Sequence, residues 1–218
     1  MREALAAGVV DELFATAEAM ARHPELTGDA SEISERDAAA LSETITPQGL
    51  VAVCRTTPAV LSDALAGARL VAVLVEANDP GNAGTILRTA DAAGADAVVL
   101  VGGVDIYNGK AVRATAGSLF HLPVVTDASA RDVLAAGLTS LATTGAGTRD
   151  LDELIDDGTL RGPTAWLFGS EAHGLPQPVV DAADHSVRVP IHGRAESLNL
   201  AAAAAVCLYA SARAQRRG

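Results

Sequence analysis

Unbroken apolar runs alternate along this chain with stretches whose apolar positions recur at helical spacing. The first kind reads as buried strand and the second as helix lying on a sheet. From residue 70 onward strands are expected at Leu70–Glu76, Ala97–Val101, Leu122–Thr126, Ser140–Thr143, Thr164–Phe168 and Val187–Ile191. Helices are expected at Asn82–Ala93, Lys110–Ala116, Ala130–Ala136, Leu151–Asp156, Gln177–Ala182 and Glu196–Arg213. Such alternation predicts an α/β fold with a mostly parallel sheet and helices on its faces. A smaller α/β part precedes it: a helix at Arg2–Ala7, a strand at Asp11–Ala15, a helix at Glu35–Thr44, a strand at Gly49–Cys54 and a helix at Ala59–Ala66. Ser34 is the expected cap of the second of these helices. The join falls at Ala64–Ala68, giving domains of 1–66 and 69–218. The first reads as incomplete, because its strand near residue 12 follows one short helix with no strand before it.

Composition narrows the class. The chain has 218 residues, 49% of them hydrophobic, enough for one large domain with a smaller companion. No apolar run is long enough to span a membrane and the start lacks a signal-peptide pattern, so a cytoplasmic protein is expected. Cys54 and Cys207 lie in apolar runs without ligand spacing and read as buried free thiols, with no metal site. The net charge is −11, which repels phosphate overall. It is unevenly spread. Residues 1–68 carry Arg2, Arg22, Arg36 and Arg55 against eleven carboxylates, while the chain ends in Arg213, Arg216 and Arg217. Lysine occurs once, as Lys110.

Three loops at strand ends carry the candidate chemistry, since ligands of open α/β sheets bind there. The first, Asn78-Asp79-Pro80-Gly81-Asn82-Ala83-Gly84-Thr85-Ile86-Leu87-Arg88-Thr89-Ala90, opens a helix at its positive end, with Arg88 expected roughly on the side of Asn82. An ordinary turn followed by a surface arginine explains it equally. The second, Phe168-Gly169-Ser170-Glu171-Ala172-His173-Gly174-Leu175, sets one carboxylate between glycines; His173 reads as a solvent-facing loop residue. The third, Val189-Pro190-Ile191 through Ser197-Leu198-Asn199, leads into a helix made almost wholly of alanine, which Ser197 or Asn199 would cap. A weaker segment, Lys110 to His121, offers cations and hydroxyls suited to phosphate, including Arg113 and Ser118, but a solvated helix face accounts for them as well. No G-x-G-x-x-G follows the first strand, which counts against a dinucleotide oxidoreductase.

In this order and at these distances, Asn-x-x-Gly-Asn-x-Gly…Arg-Thr, Phe-Gly-x-Glu-x-x-Gly-Leu and Val-Pro-Ile…Ser-Leu-Asn resemble the SpoU/TrmH family of RNA ribose 2′-O-methyltransferases over about Leu70 to Ala212. The segment with Arg113, Gly117, Phe120 and His121 is similar to that family too. More loosely, the first part resembles the ribosomal-protein-like RNA-binding domain of many members, with Leu41-Ser42-x-Thr44-x-Thr46-Pro47-Gln48-Gly49 matching its last third. Members with that domain usually carry a further, often basic, strand and helices before Arg2.

The resemblance implies a C-terminal deep trefoil knot, a homodimer, and S-adenosylmethionine bound through Thr143, Thr144, Gly145, Gly169, Val189, Ile191 and Leu198. It implies Asn82, Arg88, Glu171, Ser197 and Asn199 as the catalytic set, and Arg88, Arg113 and Ser118 as RNA contacts. The family proposes the arginine matching Arg88 as the base. A guanidinium stays protonated, however, so a charge that stabilises the alkoxide and grips phosphate is the simpler chemistry. The expected substrate is RNA, ribosomal 23S rather than transfer RNA. The alternatives are a transfer-RNA ribose 2′-O-methyltransferase and a protein that keeps the fold and binds RNA without catalysis.

Overall fold

The computed structural model describes residues 1–42, 44 and 46–217, the last without its side chain. Two compact units divide at Met1–Thr57 and Pro58–Gly218. The division falls ahead of the expected join, and the helix expected to close the first part lies in the second unit.

In the first unit, α1 (Arg2–Ala6) leads to β1 (Val10–Ala15), α2 (Ala17–Arg22), β2 (Ser31–Glu32), α3 (Glu35–Leu41) and β3 (Leu50–Cys54). β1 is central, parallel to β2 and antiparallel to β3. The strand near residue 12 therefore has partners on both sides, both from later in the chain. α2 and β2 were not expected. The Thr16 side chain caps α2 by accepting from the Ala19 N–H, and two-residue β2 exists only through its pairing with β1. Ser34 caps α3 as expected. That helix stops at Leu41 rather than Thr44, and Glu43, within the expected span, lies outside the described residues. Cys54, expected to be buried, is exposed at the end of β3, whose one partner in the sheet is β1; Cys207 is buried.

The second unit runs α4 (Leu61–Leu65), β4 (Leu70–Val75), α5 (Pro80–Ala93), β5 (Ala97–Val101), α6 (Gly109–Thr115), β6 (Val124–Val125), α7 (Ala130–Leu134), β7 (Thr139–Thr143), β8 (Arg149–Asp150), α8 (Leu151–Asp156), β9 (Thr164–Phe168), α9 (Gln177–Ala182), β10 (His185–Arg188) and α10 (Leu200–Arg217). The seven strands lie in the order β6-β5-β4-β9-β7-β10-β8, and the pairings between neighbours are parallel.

Successive side chains of a strand point to opposite faces. Leu70, Ala72 and Leu74 of β4 therefore join Trp166 and Phe168 of β9 in one core, beside Ile86, Leu87, Leu154, Cys207 and Leu208 from the helices. Val71, Val73 and Val75 join Ala165 and Leu167 in the other core, with Val133 and Leu175. Burial on both faces is why these strands read as unbroken apolar runs.

Small residues set the helix packing. A Cβ at Gly84 would stand 2.5 Å from the Ala111 carbonyl oxygen and 2.6 Å from the Ala114 Cβ, so α5 and α6 touch at a point only glycine permits. The alanines of α10 likewise bring it close to α5 and β9, where Ser211 accepts a 2.9 Å hydrogen bond from the buried Trp166 indole N–H. Gln215 then donates to the Arg69 and Gly162 carbonyls at 2.8 and 2.9 Å.

Candidate active site

The site grows from the carboxyl ends of β4, β9, β7 and β10. After β4 the chain turns sharply at Glu76, whose φ of 53° is rare for a residue with a side chain. Asp79 then caps α5 by accepting from the Asn82 N–H at 2.8 Å, and Pro80 starts the helix, where its missing N–H costs nothing. After β9 the chain doubles back within five residues, Ser170 and Gly174 exchanging backbone hydrogen bonds of 3.1 and 2.9 Å. A Cβ at Gly169 would lie 2.1 Å from the Gly174 carbonyl carbon, so this turn closes only with glycine there. The turn carries Glu171 toward β4.

One chain of hydrogen bonds ties the three loops. Asn82 donates its side-chain amide to Glu171 Oε1 at 2.9 Å, and its own Oδ1 accepts from the Asn199 amide at 3.1 Å. Asn199 Oδ1 accepts in turn from the Ala201 and Ala202 N–H groups, capping α10. The other oxygen of Glu171 faces the Asn78 N–H at 3.4 Å. Partial burial pushes the Glu171 carboxyl up. The hydrogen bonds from Asn82 and the backbone outweigh it and hold the group below the usual carboxylate range. Glu171 is thus a charged acceptor at neutral pH, with Asn82 fixed between it and Asn199.

Beside this chain lies a cavity of about 380 Å³. Thr143, Thr144, Gly145, Gly169, Val189, Ile191 and Leu198 line it, together with Glu171, Ser197, Asn199 and Glu196. Its apolar walls come from Val187, Val189, Ile191 and Leu198. The segment after β7 is held in place by the Thr144 N–H donating to the Val187 carbonyl at 2.9 Å and by Thr143 Oγ1 donating to the Leu167 carbonyl at 2.7 Å. β10 ends at Arg188 rather than at Ile191, and α10 begins at Leu200 rather than at Glu196, so 189–199 is one irregular loop against the cavity.

Arg88 lies elsewhere on α5. Six positions turn a helix by about 600°, which leaves it about 120° around from Asn82, so the two do not share a face as the sequence reading had it. Arg88 is exposed and does not line the cavity, and its guanidinium has no hydrogen bond or ion pair with a described residue. Arg113 is exposed on α6. Ser118, expected to touch RNA, is only 5% exposed and its hydroxyl bonds the Asp91 carboxylate, which leaves it little to offer a ligand. His173 is exposed in its loop, as expected. Asp79, outside the expected site residues, has a signal in the sequence as well, since Asp-Pro at a helix start is a capping pattern. Among the described residues no three His, Cys, Asp or Glu side chains gather as metal ligands would.

The chain is 38% identical over 181 residues to the 23S rRNA (guanosine(2553)-2′-O)-methyltransferase RlmP of Bacillus subtilis (strain 168), covering 81% of this chain and 70% of that protein. It is 33% identical over 186 residues to the 23S rRNA (guanosine-2′-O-)-methyltransferase RlmB of Bordetella pertussis, covering 78% and 72%. The fold superposes on the SpoU methyltransferase AviRb from Streptomyces viridochromogenes in complex with AdoMet, with a TM-score of 0.83 at 30% identity, over 100% of this chain and 88% of that one. The sequence model that matches residues 69–209, a span holding all three loops and the cavity, places the chain in the SpoU rRNA Methylase family.

Proposed function

We propose that this protein transfers a methyl group from S-adenosylmethionine to a ribose 2′-hydroxyl of RNA, with 23S ribosomal RNA as substrate. The observation that carries the reading is the cavity lined by the second and third motif loops and by Thr143, Thr144 and Gly145, with the Asn199–Asn82–Glu171 hydrogen-bond chain joining the first loop to its wall. The names of the relatives supply the reaction.

The residues present fit the cofactor. The cavity is of nucleoside size, with apolar walls for a base and backbone groups at Thr144, Gly145 and Gly169 for its edge. Glu171 and Glu196 give it negative charge, matched to a cationic ligand. When bound, S-adenosylmethionine supplies an electrophilic methyl on a sulfonium centre. The protein's part is to place the ribose oxygen in line and to ease loss of its proton. Asn82, Glu171, Ser197 and Asn199 orient the reacting groups. The Arg88 guanidinium stabilises the developing alkoxide and holds the adjoining phosphate. Arg113 adds a cation to the RNA face. Ser118 acts at one remove, through Asp91.

A close backbone pass supports the C-terminal trefoil knot: the link from β7 to β8 passes β10, the strand lying between them, and a Cβ at Gly147 would stand 2.5 Å from the Arg188 nitrogen. The homodimer is supported by a stripe on α10, where Ala202, Val206, Tyr209 and Arg213 fall on one exposed face. Val206 is 43% and Tyr209 52% exposed. Residues Met1–Thr57 serve as the RNA-recognition unit. No described helix is long and apolar enough to cross a membrane; the cytoplasm is where ribosomal RNA is made available.

Calorimetric titration with S-adenosylhomocysteine tests the cofactor assignment. Saturable binding that falls at least tenfold in Gly169→Ala is expected. Absence of binding by the folded protein, alone and with RNA, overturns it. Light scattering tests the dimer: Tyr209→Glu should yield monomers, and a monomeric parent protein at micromolar concentration contradicts the homodimer.

A further inference from the structure

We infer that Lys110 is an RNA-phosphate contact at the mouth of the site, held by Asp79 in the free protein and handed to the RNA backbone on binding. The inference rests on the RNA-methylation reading above.

Lys110 is the only lysine of the chain and stands in the first turn of α6. Its Nζ donates to Asp79 Oδ2 at 3.0 Å. The other oxygen of the same carboxylate accepts from the Asn82 N–H at 2.8 Å. Asn82 is the residue that joins Glu171 to Asn199. One carboxylate therefore separates the lysine from the centre of the hydrogen-bond chain. Gly81 leaves room for the Asp79 carboxylate, since a Cβ there would stand 2.8 Å from Asp79 Oδ1, and it would only touch the lysine, 3.8 Å from Nζ. The hydrogen bond from Lys110, followed by the one from the Asn82 N–H, keeps the Asp79 carboxyl below its usual range.

Two features point to phosphate rather than to a purely structural ion pair. The Lys110 side chain is 58% exposed, so ammonium N–H groups not used by Asp79 face solvent. A chain of net charge −11 needs local cations where an RNA backbone is to approach. A lysine suits this task as a compact point charge with rotatable donors, able to leave one anion for another. Exposed pairs of this kind contribute little to stability, so exchanging carboxylate for phosphate costs little.

The test uses the full chain, a 23S rRNA fragment that the parent protein methylates, and a salt series. Lys110→Ala should weaken RNA binding roughly tenfold and reduce the log–log salt slope by about 1, as expected for one lost phosphate contact. Binding of S-adenosylhomocysteine should not change, and Lys110→Arg should restore most of the RNA affinity. Asp79→Asn should bind RNA at least as tightly as the parent, since the competing carboxylate is gone. In the parent, RNA should shield Lys110 from amine acetylation as read by mass spectrometry. If Lys110 only steadies α5 through Asp79, Lys110→Ala and Asp79→Asn will weaken together with the salt slope unchanged, and the inference falls. Acetylation of Lys110 at the same rate with saturating RNA overturns it as well. If the parent neither binds nor methylates any RNA, the methylation reading itself fails and this inference goes with it, a result distinct from the other two.

Discussion

Asn82 and Glu171 are 89 positions apart in sequence, yet the asparagine amide donates to the carboxylate at 2.9 Å. The contact joins the end of β4 to the end of β9 and fixes which way the Asn82 side chain faces. Asn82→Asp would set a second carboxylate against the first. Like charges this close raise one of the two pKa values. The expected outcome is a pH–rate profile whose acid limb moves up, with turnover reduced at neutral pH. In the parent, Glu171 is held below the ordinary glutamate value of about 4.3, so any acid limb it causes lies beneath that value. The sign for stability is the same. The contribution of this depressed group is present above its unfolded pKa and is lost as pH falls through the folded one.

Arg88 provides a test of mechanism. It is exposed on α5 and does not line the cavity. Arg88→Ala should therefore leave S-adenosylhomocysteine binding intact while lowering turnover by about 10²–10³, the usual worth of one preorganised donor. Arg88→Lys keeps the charge but loses the planar fork and should be nearly as poor. A lysine variant close to the parent would reduce the role to a point charge. An alanine variant close to the parent would remove Arg88 from the reaction and make Glu171 the residue to test.

The Trp166–Ser211 hydrogen bond fastens α10 to the sheet. Ser211→Ala leaves a buried indole N–H without its partner, which costs about 1–3 kcal/mol. Urea unfolding followed by far-UV circular dichroism should show that loss. In the Trp166→Phe background the same serine change should cost measurably less, because no indole N–H remains to be stranded. Equal costs in both backgrounds would assign the effect to something other than this bond.

Gly169→Ala tests the turn that carries Glu171. The added methyl would meet the Gly174–Leu175 peptide at 2.1–2.2 Å, so the turn must open. Overpacking of this kind destabilises by about 1–3 kcal/mol, and here the shift is passed directly to a cavity wall. Cofactor-product binding should fall at least tenfold, roughly the equivalent of 1.4 kcal/mol. Gly145→Ala meets no atom within 4 Å and should leave the unfolding midpoint unchanged.

The central strands were legible because a sheet covered on both faces leaves no polar positions: Leu70–Val75 and Thr164–Phe168 were located within a residue of their ends. Elements set by pairing or by a cap rather than by apolar content were not. β2 has two exposed residues, and α2 is six residues long with one buried alanine. The start of α10 was placed four residues early because Glu196–Ser197 looks helical, whereas the Asn199 side chain takes the first N–H groups and begins the helix there. The three loops were visible as glycine and polar residues at strand ends. Their connection was not: Asn82 meets Asn199 across 117 positions, and no local spacing encodes that contact. Ser118 stands beside cations in the sequence, whereas its burial and its bond to Asp91, 27 positions away, are not encoded in any local spacing.

The central claim is methyl transfer to a ribose oxygen, and alkaline hydrolysis of labelled RNA tests it most directly. Alkali cleaves RNA through the 2′-hydroxyl, so a methylated ribose protects the bond that follows it. After separate incubations of the protein and S-adenosylmethionine labelled in the methyl group with unmethylated 23S rRNA and with transfer RNA, the label should appear in alkali-resistant dinucleotides of the 23S rRNA, and Arg88→Ala should lower its rate of appearance by about 10²–10³. Label recovered in mononucleotides would mean methylation of a base, and no label in ribosomal or transfer RNA would mean no RNA methylation at all; either result contradicts the account.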